Sequence, residues 1–142
     1  MKAKYIFTVF FIIAVSSPAF TSSFIWTGNS SSSWAVSGNW SGGGGGTPGP
    51  GDNITINSNA PNNLVLDQNR SITNFTINGD TIDMGGYEFT ITGGATFNSG
   101  LVTNGKLLPT GSLCHFGGGI LNVKITATSG YYHMYGGTFM FP

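Results

Sequence analysis

From Asn53 onward, apolar and polar residues alternate in runs of only three to seven residues, and Gly or Asn ends most runs. Such alternation indicates β-strands, because successive side chains of a strand point to opposite faces. After the first two dozen residues, no stretch shows helical periodicity over ten residues. The pattern predicts strands at 54–56, 64–66, 71–77, 81–84, 87–92, 95–98, 101–103, 106–108, 113–116, 120–126, 131–135 and 138–141.

The stretch from Asn74 to Lys106 repeats one strand unit. Its three copies are Phe75–Asn78, Phe89–Thr92 and Thr96–Asn98. The runs stop at Asn-Gly, Gly-Gly or Ser-Gly, which are turn signals. Short, self-similar strands of this kind are typical of a stacked β-architecture.

Two all-β folds are compatible with this pattern. An antiparallel β-sandwich has strands joined by distinct hairpin turns. A parallel β-helix, or β-solenoid, has short strands and tight bends in coils of about 20 residues or more. A turn signal every six to nine residues favours the β-solenoid and leaves the sandwich as the alternative. We therefore predict a parallel β-helix of roughly four coils stacked about 4.8 Å apart.

In such a coil the apolar residues of each run point inward. The Thr and Asn residues between them point outward, where they can form stacked polar ladders. The residues predicted to point inward are Ile54, Ile56, Leu64, Leu66, Phe75, Ile77, Phe89 and Ile91.

Residues 1–23 are predicted to be a secretory signal peptide. Lys2 and Lys4 form the positive end, and Tyr5–Val15 forms an apolar run too short for a membrane-spanning helix. The small residues that end at Ala19 suit a signal peptidase, so cleavage is expected after Ala19 or a few residues later. The sequence thus predicts export, with no membrane span in the mature chain.

The chain is unusually poor in charge. Asp, Glu, Lys and Arg make up 7% of it, and neutral Ser, Thr, Asn and Gly replace them, as is common on extracellular surfaces. Without Lys2 and Lys4, three basic residues face five acidic ones, a formal net charge of about −2. No basic patch is available to neutralise phosphates, so nucleic acid is not expected as a partner.

Residues 24–51 are predicted to be a cap followed by a Gly- and Pro-rich loop. The cap contains all three tryptophans, Trp26, Trp34 and Trp40. They can cover the first coil, as the end of a repeat array requires, and this interpretation is favoured. Alternatively their ring faces bind sugars, so all three are retained as candidate ligand-binding residues.

Residues 52–142 are predicted to form the solenoid. Near its end, Tyr131, His133 and Tyr135 lie on one face of a predicted strand. If that face points outward, the two tyrosines are candidate ligand-binding residues, and if it points inward, they belong to the core or to an interface with further turns. The sequence closes at Phe139–Pro142 within a predicted strand. We expect it to be truncated there, or to self-associate through an open C-terminal edge.

The remaining chemistry-bearing residues form no recognisable catalytic, metal or cofactor site. Asp80 and Asp83 lie near Glu88 but lack the order of a calcium loop. Cys114 and His115 are adjacent, so they face opposite sides of a strand, and Cys114 is expected to be a small buried residue. No catalytic residue, metal ligand or cofactor is therefore assigned.

The order of motifs resembles the opening portion of large secreted bacterial β-helix proteins. These are adhesins and autotransporter passengers of cell surfaces, including those of Bacteroidetes. The resemblance covers Phe24 to about Lys106 and implies attachment at the cell surface. Its motifs are W-T-G at 26–28, W-A-V-S-G-N-W-S-G-G at 34–43, P-G-P-G-D-N-I-T-I at 48–56, F-T-I-N-G at 75–79 and F-T-I-T-G-G at 89–94.

The sequence as a whole predicts an exported, surface-associated β-solenoid with a structural or adhesive role. Extracellular polysaccharide or host and cell-surface components are its expected partners. Two alternatives remain open: the N-terminal part of a polysaccharide-active, pectate-lyase-like β-helix enzyme, and a carbohydrate-binding β module.

Overall fold

Twelve β-strands and one 3-10 turn at Ser37–Asn39 make up the regular structure in a computed structural model. The structure describes residues 21–111, 113–126 and 130–140, so most of the predicted signal peptide and the end of the last predicted strand lie outside the described residues. In chain order the strands are β1 (Ser23–Trp26), β2 (Trp40–Gly42), β3 (Asn53–Ile56), β4 (Leu64–Val65), β5 (Arg70–Ile72), β6 (Asn74–Asp83), β7 (Glu88–Ile91), β8 (Gly94–Pro109), β9 (Leu113–Phe116), β10 (Ile120–Ile125), β11 (Tyr131–Met134) and β12 (Thr138–Met140).

The strands wind into a parallel β-solenoid of about four turns with three faces. The first face contains β1, β3, the start of β6, the start of β8, β9 and β11. The second contains β4, the end of β6, the middle of β8, the start of β10 and β12. The third contains β5, β7, the end of β8 and the end of β10. The predicted β-solenoid is confirmed, and the antiparallel sandwich is wrong.

Alternation of side chains explains where the core lies. All eight residues predicted to point inward are buried, and edge-to-face rings extend through successive turns, with Phe75 5.4 Å from Phe89 and 5.3 Å from Phe97. One predicted strand, 71–77, is interrupted at Thr73, whose N–H bonds to the carbonyl of Asp52 at a corner of the coil. Strands β1 and β2 were not predicted, because Ser, Gly and Trp obscure the period of two.

Left-handed backbone forms the corner between the first and second faces. In four successive turns the corner residue has a positive φ: 72° at Asp80, 103° at Gly100, 89° at Gly119 and 93° at Gly137. A Cβ on Gly100 would also lie 2.5 Å from the carbonyl oxygen of Asp80 in the turn below. Glycine is therefore needed at Gly100 both for its φ and for the close approach of stacked corners.

On the first face, the offset between paired residues falls along the chain. It is 21 for Asn53 with Asn74, 20 for Phe75 with Ala95 and 19 for Ala95 with Cys114. It reaches 18 in the pairing of Cys114 with Tyr132. The second face does not follow this trend, because the offset there is 18 between Leu64 and Ile82 and 20 between Ile82 and Val102. The connections between strands therefore differ in length from one face to the next.

Asparagine ladders border the outer surface of the first face. The Asn74 side-chain amide donates to Oδ1 of Asn53 at 2.8 Å. On the other border, Asn98 donates to Asn78 at 2.7 Å and Asn78 donates to Asn57 at 3.0 Å. Each ladder satisfies amide groups between turns and so reinforces the register set by the backbone.

The N-terminal segment covers the first turn. Strand β2 pairs antiparallel with β1, and β1 pairs parallel with β3, so the first face ends in a short antiparallel strand of three residues. Asn39 is fully buried, and its Oδ1 accepts the N–H groups of Ser30 and Ser31, both at 2.8 Å. This amide holds the intervening loop against the end of the coil.

Candidate functional site

The outer surface of the first face ends in a group of aromatic rings, which we call the aromatic patch: His115, Tyr131, His133 and Tyr135. Strands β9 and β11 run parallel, with His115 opposite His133. Tyr131 and His133 lie on the same side of β11, as the alternation predicted, and the structure places that side outward; Tyr135 follows the strand. The side chains of Tyr131 and Tyr135 are 76% and 75% exposed.

The rings of the patch stack on one another. The centroids of His115 and His133 are 5.4 Å apart with an angle of 28° between the rings. Those of His115 and Tyr135 are 6.3 Å apart and within 11° of parallel. The Tyr135 hydroxyl lies 3.3 Å from Nδ1 of His133, and the imidazole tautomer decides which of them donates. The third pair, His133 and Tyr135, is tilted by 31° with its centroids 6.0 Å apart. The three rings therefore form a compact triangular cluster, in which His133 and Tyr135 are exposed and His115 is half-buried.

The surroundings of the patch on this face are uncharged. In the turns below, the outward column that contains His115 continues as Thr96, Thr76 and Thr55. Flat rings beside rows of hydroxyl and amide groups suit a ligand with apolar C–H faces and many hydroxyls, because ring faces contact the C–H surface while polar groups bond the hydroxyls. The patch is therefore a candidate site for such a ligand.

The structure does not support the three tryptophans as ligand-binding residues. Trp26, Trp34 and Trp40 are only 2%, 0% and 8% exposed, so no indole face is free for a sugar. Trp40 lies 5.0 Å from Trp26 and 4.8 Å from Trp34, and both contacts are edge-to-face. The rings cover the apolar interior of the first turn, which is the cap that the sequence favoured.

The indole N–H groups are also fully used inside the cap. Trp26 donates to the carbonyl of Asn62 at 2.9 Å, Trp34 to that of Pro48 at 3.1 Å, and Trp40 to that of Trp34 at 2.9 Å. Because a buried N–H without a partner is costly, these bonds fix the orientation of each ring.

Cys114 is buried in the coil, as predicted. It is 2% exposed and lies on the opposite side of β9 from His115. Burial raises the pKa of its thiol from 9.0 to about 11, which keeps it protonated and unreactive at neutral pH. Among the described residues there is no group of three or more His, Cys, Asp or Glu side chains that could hold a metal ion.

The candidate carboxylates do not converge. Oδ1 of Asp80 accepts the N–H of Thr81 at the corner. Asp83 lies on the second face, where it accepts the N–H of Gly85 and the Asn104 amide, both at 2.8 Å. Glu88 pairs with Lys106 at 2.6 Å. Each carboxylate has its own local partner, although the buried Oδ2 of Asp80 accepts no hydrogen bond from the described residues.

A cleft that the sequence did not reveal lies between the Gly- and Pro-rich loop and the third face. Its volume is about 330 Å³, and Arg70 lies at one wall. The composition of residues 41–51 is typical of a flexible loop or a linker, yet the Asp52 carboxylate accepts the Gly49 N–H at 2.9 Å and fixes the end of the loop. The one feature of the sequence that could have drawn attention to this cleft is Arg70, the single arginine of the chain. Its position in the sequence does not show that the Gly- and Pro-rich loop lies opposite it.

No helix in the described part of the chain is long and apolar enough to span a membrane. Comparisons of the sequence with protein-family models, with curated proteins and with solved structures find no match.

Proposed function

We propose that the protein is an exported, surface-associated β-solenoid with an adhesive role and that it binds extracellular polysaccharide through the aromatic patch. The observation that carries the proposal is the cluster of His115, His133 and Tyr135, in which two of the three ring pairs are stacked and the rings of His133 and Tyr135 are exposed. Exposed aromatic rings with a polar edge are enriched at recognition surfaces, because they offer contact area with little loss of conformational entropy.

The solenoid suits an adhesive role because it presents the same polar groups at regular intervals. Along the first face the Asn and Thr residues recur once per turn, at a strand spacing of about 4.8 Å. A polysaccharide is itself a repeating ligand. Once one sugar unit is bound, the next unit is held close to the next turn, so several weak contacts together give a higher affinity than each alone.

Export is part of the proposal, and the first turn adds support for cleavage after Ala19. The N–H of Ser22 bonds to the Asp52 carboxylate at 3.0 Å, and its carbonyl accepts the N–H of Asn53 at 2.8 Å. Cleavage after Ser23 would remove these bonds and shorten β1, whereas cleavage after Ala19 keeps them. We expect N-terminal sequencing of the exported protein to begin at Phe20.

Self-association through the C-terminal edge is the second partner proposal. Among the described residues, β11 pairs only with β9 and β12 only with β10. Met134 continues a column that is buried in the turns below, yet it is 61% exposed. Sedimentation velocity over a range of concentrations tests this, and a monomer at all concentrations would contradict it.

The patch is tested by removing its two tyrosine rings. Tyr131→Ala combined with Tyr135→Ala should weaken binding to extracellular polysaccharide about tenfold, because an aromatic contact contributes roughly 0.5–1.5 kcal/mol. Affinity gel electrophoresis with a panel of neutral and acidic polysaccharides measures the effect.

Tyr87→Ala is the matched control, since Tyr87 is also exposed but lies outside the patch. It should bind within about twofold of the unmodified protein. Equal affinity of the double variant and the unmodified protein would overturn the proposal.

A further inference from the structure

The cleft beside Arg70 has walls from two distant parts of the chain. One wall is the end of the Gly- and Pro-rich loop, and the other is the corner that leads into the third face together with the strand next to it. The lining residues are Pro48, Gly49, Pro50, Gln68, Asn69, Arg70, Ser71 and Thr90.

The loop wall is held in place before any ligand binds. The carboxylate of Asp52 accepts the Gly49 N–H, and the carbonyl of Pro48 accepts the buried indole N–H of Trp34. The two prolines restrict the backbone further. The loop therefore does not have to be ordered by a ligand, which lowers the free-energy cost of binding.

The opposite wall is held by an arginine in an inward position. Arg70 pairs in register with the buried Phe89, and its guanidinium lies 5.4 Å from the ring centroid of Trp34. It also donates to Oδ1 of Asp67 through Nη2 at 2.6 Å and through Nε at 3.1 Å. The cap, the loop and the third face thus meet at this side chain.

Several polar groups at the cleft remain free. The side chains of Gln68 and Ser71 make no hydrogen bond to any described residue. Asn69 uses its Oδ1 to accept the N–H of Glu88 at 2.9 Å, which leaves its amide N–H groups free. Donors and acceptors are therefore available beside the apolar rings of Pro48 and Pro50.

The cationic groups near the cleft are paired. Arg70 is paired with Asp67, and Glu88 on the neighbouring strand is paired with Lys106. An anionic ligand would find no uncompensated positive charge, and it would be repelled by the Asp52 carboxylate, whose bonds among the described residues are to the backbone N–H groups of Ser22 and Gly49. A ligand with neutral hydroxyl groups fits this environment best.

We propose that the cleft binds one ring of a neutral saccharide. Gln68, Asn69 and Ser71 bond its hydroxyls, and the proline rings contact its C–H surface. A volume near the low end of ligand pockets, about 300 Å³, fits a single small ring rather than a long chain. This site shares its ligand class with the proposed function, but it lies on another face and depends on other residues.

The test is an NMR titration of the full exported chain with glucose, galactose and mannose, and with glucuronate as the anionic comparison. Neutral sugars should shift the amide signals of Gln68–Ser71 and Thr90, with a Kd on the order of 1 mM for at least one of them. Glucuronate should bind that site at least about threefold more weakly. No shift at these residues with any neutral sugar would overturn the proposal.

Two variants assign the shifts to the cleft. Gln68→Ala combined with Ser71→Ala should weaken binding about tenfold through the loss of two hydrogen-bonding groups. Asn29→Ala combined with Ser99→Ala, which changes exposed residues outside the cleft, should leave the Kd unchanged. An unchanged Kd in the cleft variant, with thermal unfolding like that of the control, would overturn the proposal.

The Tyr131→Ala, Tyr135→Ala variant separates the two saccharide proposals. If it loses polysaccharide binding but keeps the cleft shifts, both sites stand. If it keeps polysaccharide binding while the cleft shifts persist, the patch proposal fails and the cleft stands.

Discussion

Two aromatic clusters lie at opposite ends of the described solenoid and play opposite parts in it. At the N-terminal end, Trp26, Trp34 and Trp40 are buried, and each N–H is bonded to a carbonyl. At the other end, Tyr131 and Tyr135 are largely exposed. Residue type does not decide this difference. The side of the strand, and whether another segment covers the turn, decide which rings form core and which remain free.

Removing one ring from each cluster should give the largest difference in the free energy of unfolding. Trp34→Ala should lower the free energy of unfolding by about 3–5 kcal/mol, because it removes the most enclosed ring of the cap. Tyr135→Ala should change it by no more than about 0.5 kcal/mol. Urea unfolding followed by circular dichroism measures both.

If Trp34→Ala does not fold, Trp34→Phe provides a milder test that should still lower stability by more than about 1 kcal/mol. Equal losses for the Trp34 and Tyr135 variants would contradict the distinction between a structural and an exposed cluster.

The corners between the first and second faces test how much the close stacking of the turns, which sets the side that each ring occupies, contributes to stability. Gly100→Ala should destabilise the protein by about 2–4 kcal/mol, since it places a side chain at a positive φ and against the Asp80 carbonyl. Thermal or urea unfolding measures the loss.

Gly86→Ala separates the two causes of that loss. Gly86 has a φ of 84°, but a Cβ there would meet no atom within 4 Å. Its loss should be about 1 kcal/mol, from backbone strain alone. If both variants lose the same amount, the close approach of stacked corners contributes nothing.

Cys114 predicts a loss of stability at high pH. The folded chain keeps this thiol protonated to about pH 11, while the unfolded chain releases the proton near pH 9. The unfolded state therefore binds fewer protons in this window, and the free energy of unfolding falls as the pH rises through it. The contribution lost by about pH 10.5 is about 2 kcal/mol.

Urea unfolding at about pH 8 and about pH 10.5 should show this loss in the unmodified protein and a smaller one in Cys114→Ala. The difference between the two proteins isolates Cys114 from the other groups that titrate in this range. The same pH dependence in both would refute the assignment.

The outer ladder should give a smaller effect than the cap or the Gly100 corner. Asn78 links Asn57 and Asn98 on the exposed border of the first face. Asn78→Ala should cost about 0.5–1.5 kcal/mol, because exposed amides regain hydrogen bonds to water. Asn29→Ala is its control, and identical stabilities of the two variants would show that the ladder adds nothing.

The alternation of apolar and polar residues predicted most strands of the solenoid. It did not predict the segments that pack against those strands from distant parts of the chain. Phe75 and Ile77 could be assigned inward from alternation alone, because a strand has only two sides. Arg70 could not be placed, since a charged residue in an inward position is stable only through Trp34 and Asp67, one of them 36 positions away along the chain. The patch was foreseen as one side of β11, whereas its stacking with His115 depends on pairing with β9.

The separation of the strands along the chain has a consequence for how the chain finds its fold. The segments 75–77 and 89–91 have the same sequence, F-T-I, but the first lies on the first face and the second on the third face. If 89–91 paired with β3 in place of 75–77, the connection would be 14 residues longer (89 minus 75). That surplus is about 46 Å of extended backbone, at about 3.3 Å per residue, and it has no place in the coil. The length of the connection therefore selects which of two identical segments enters each face.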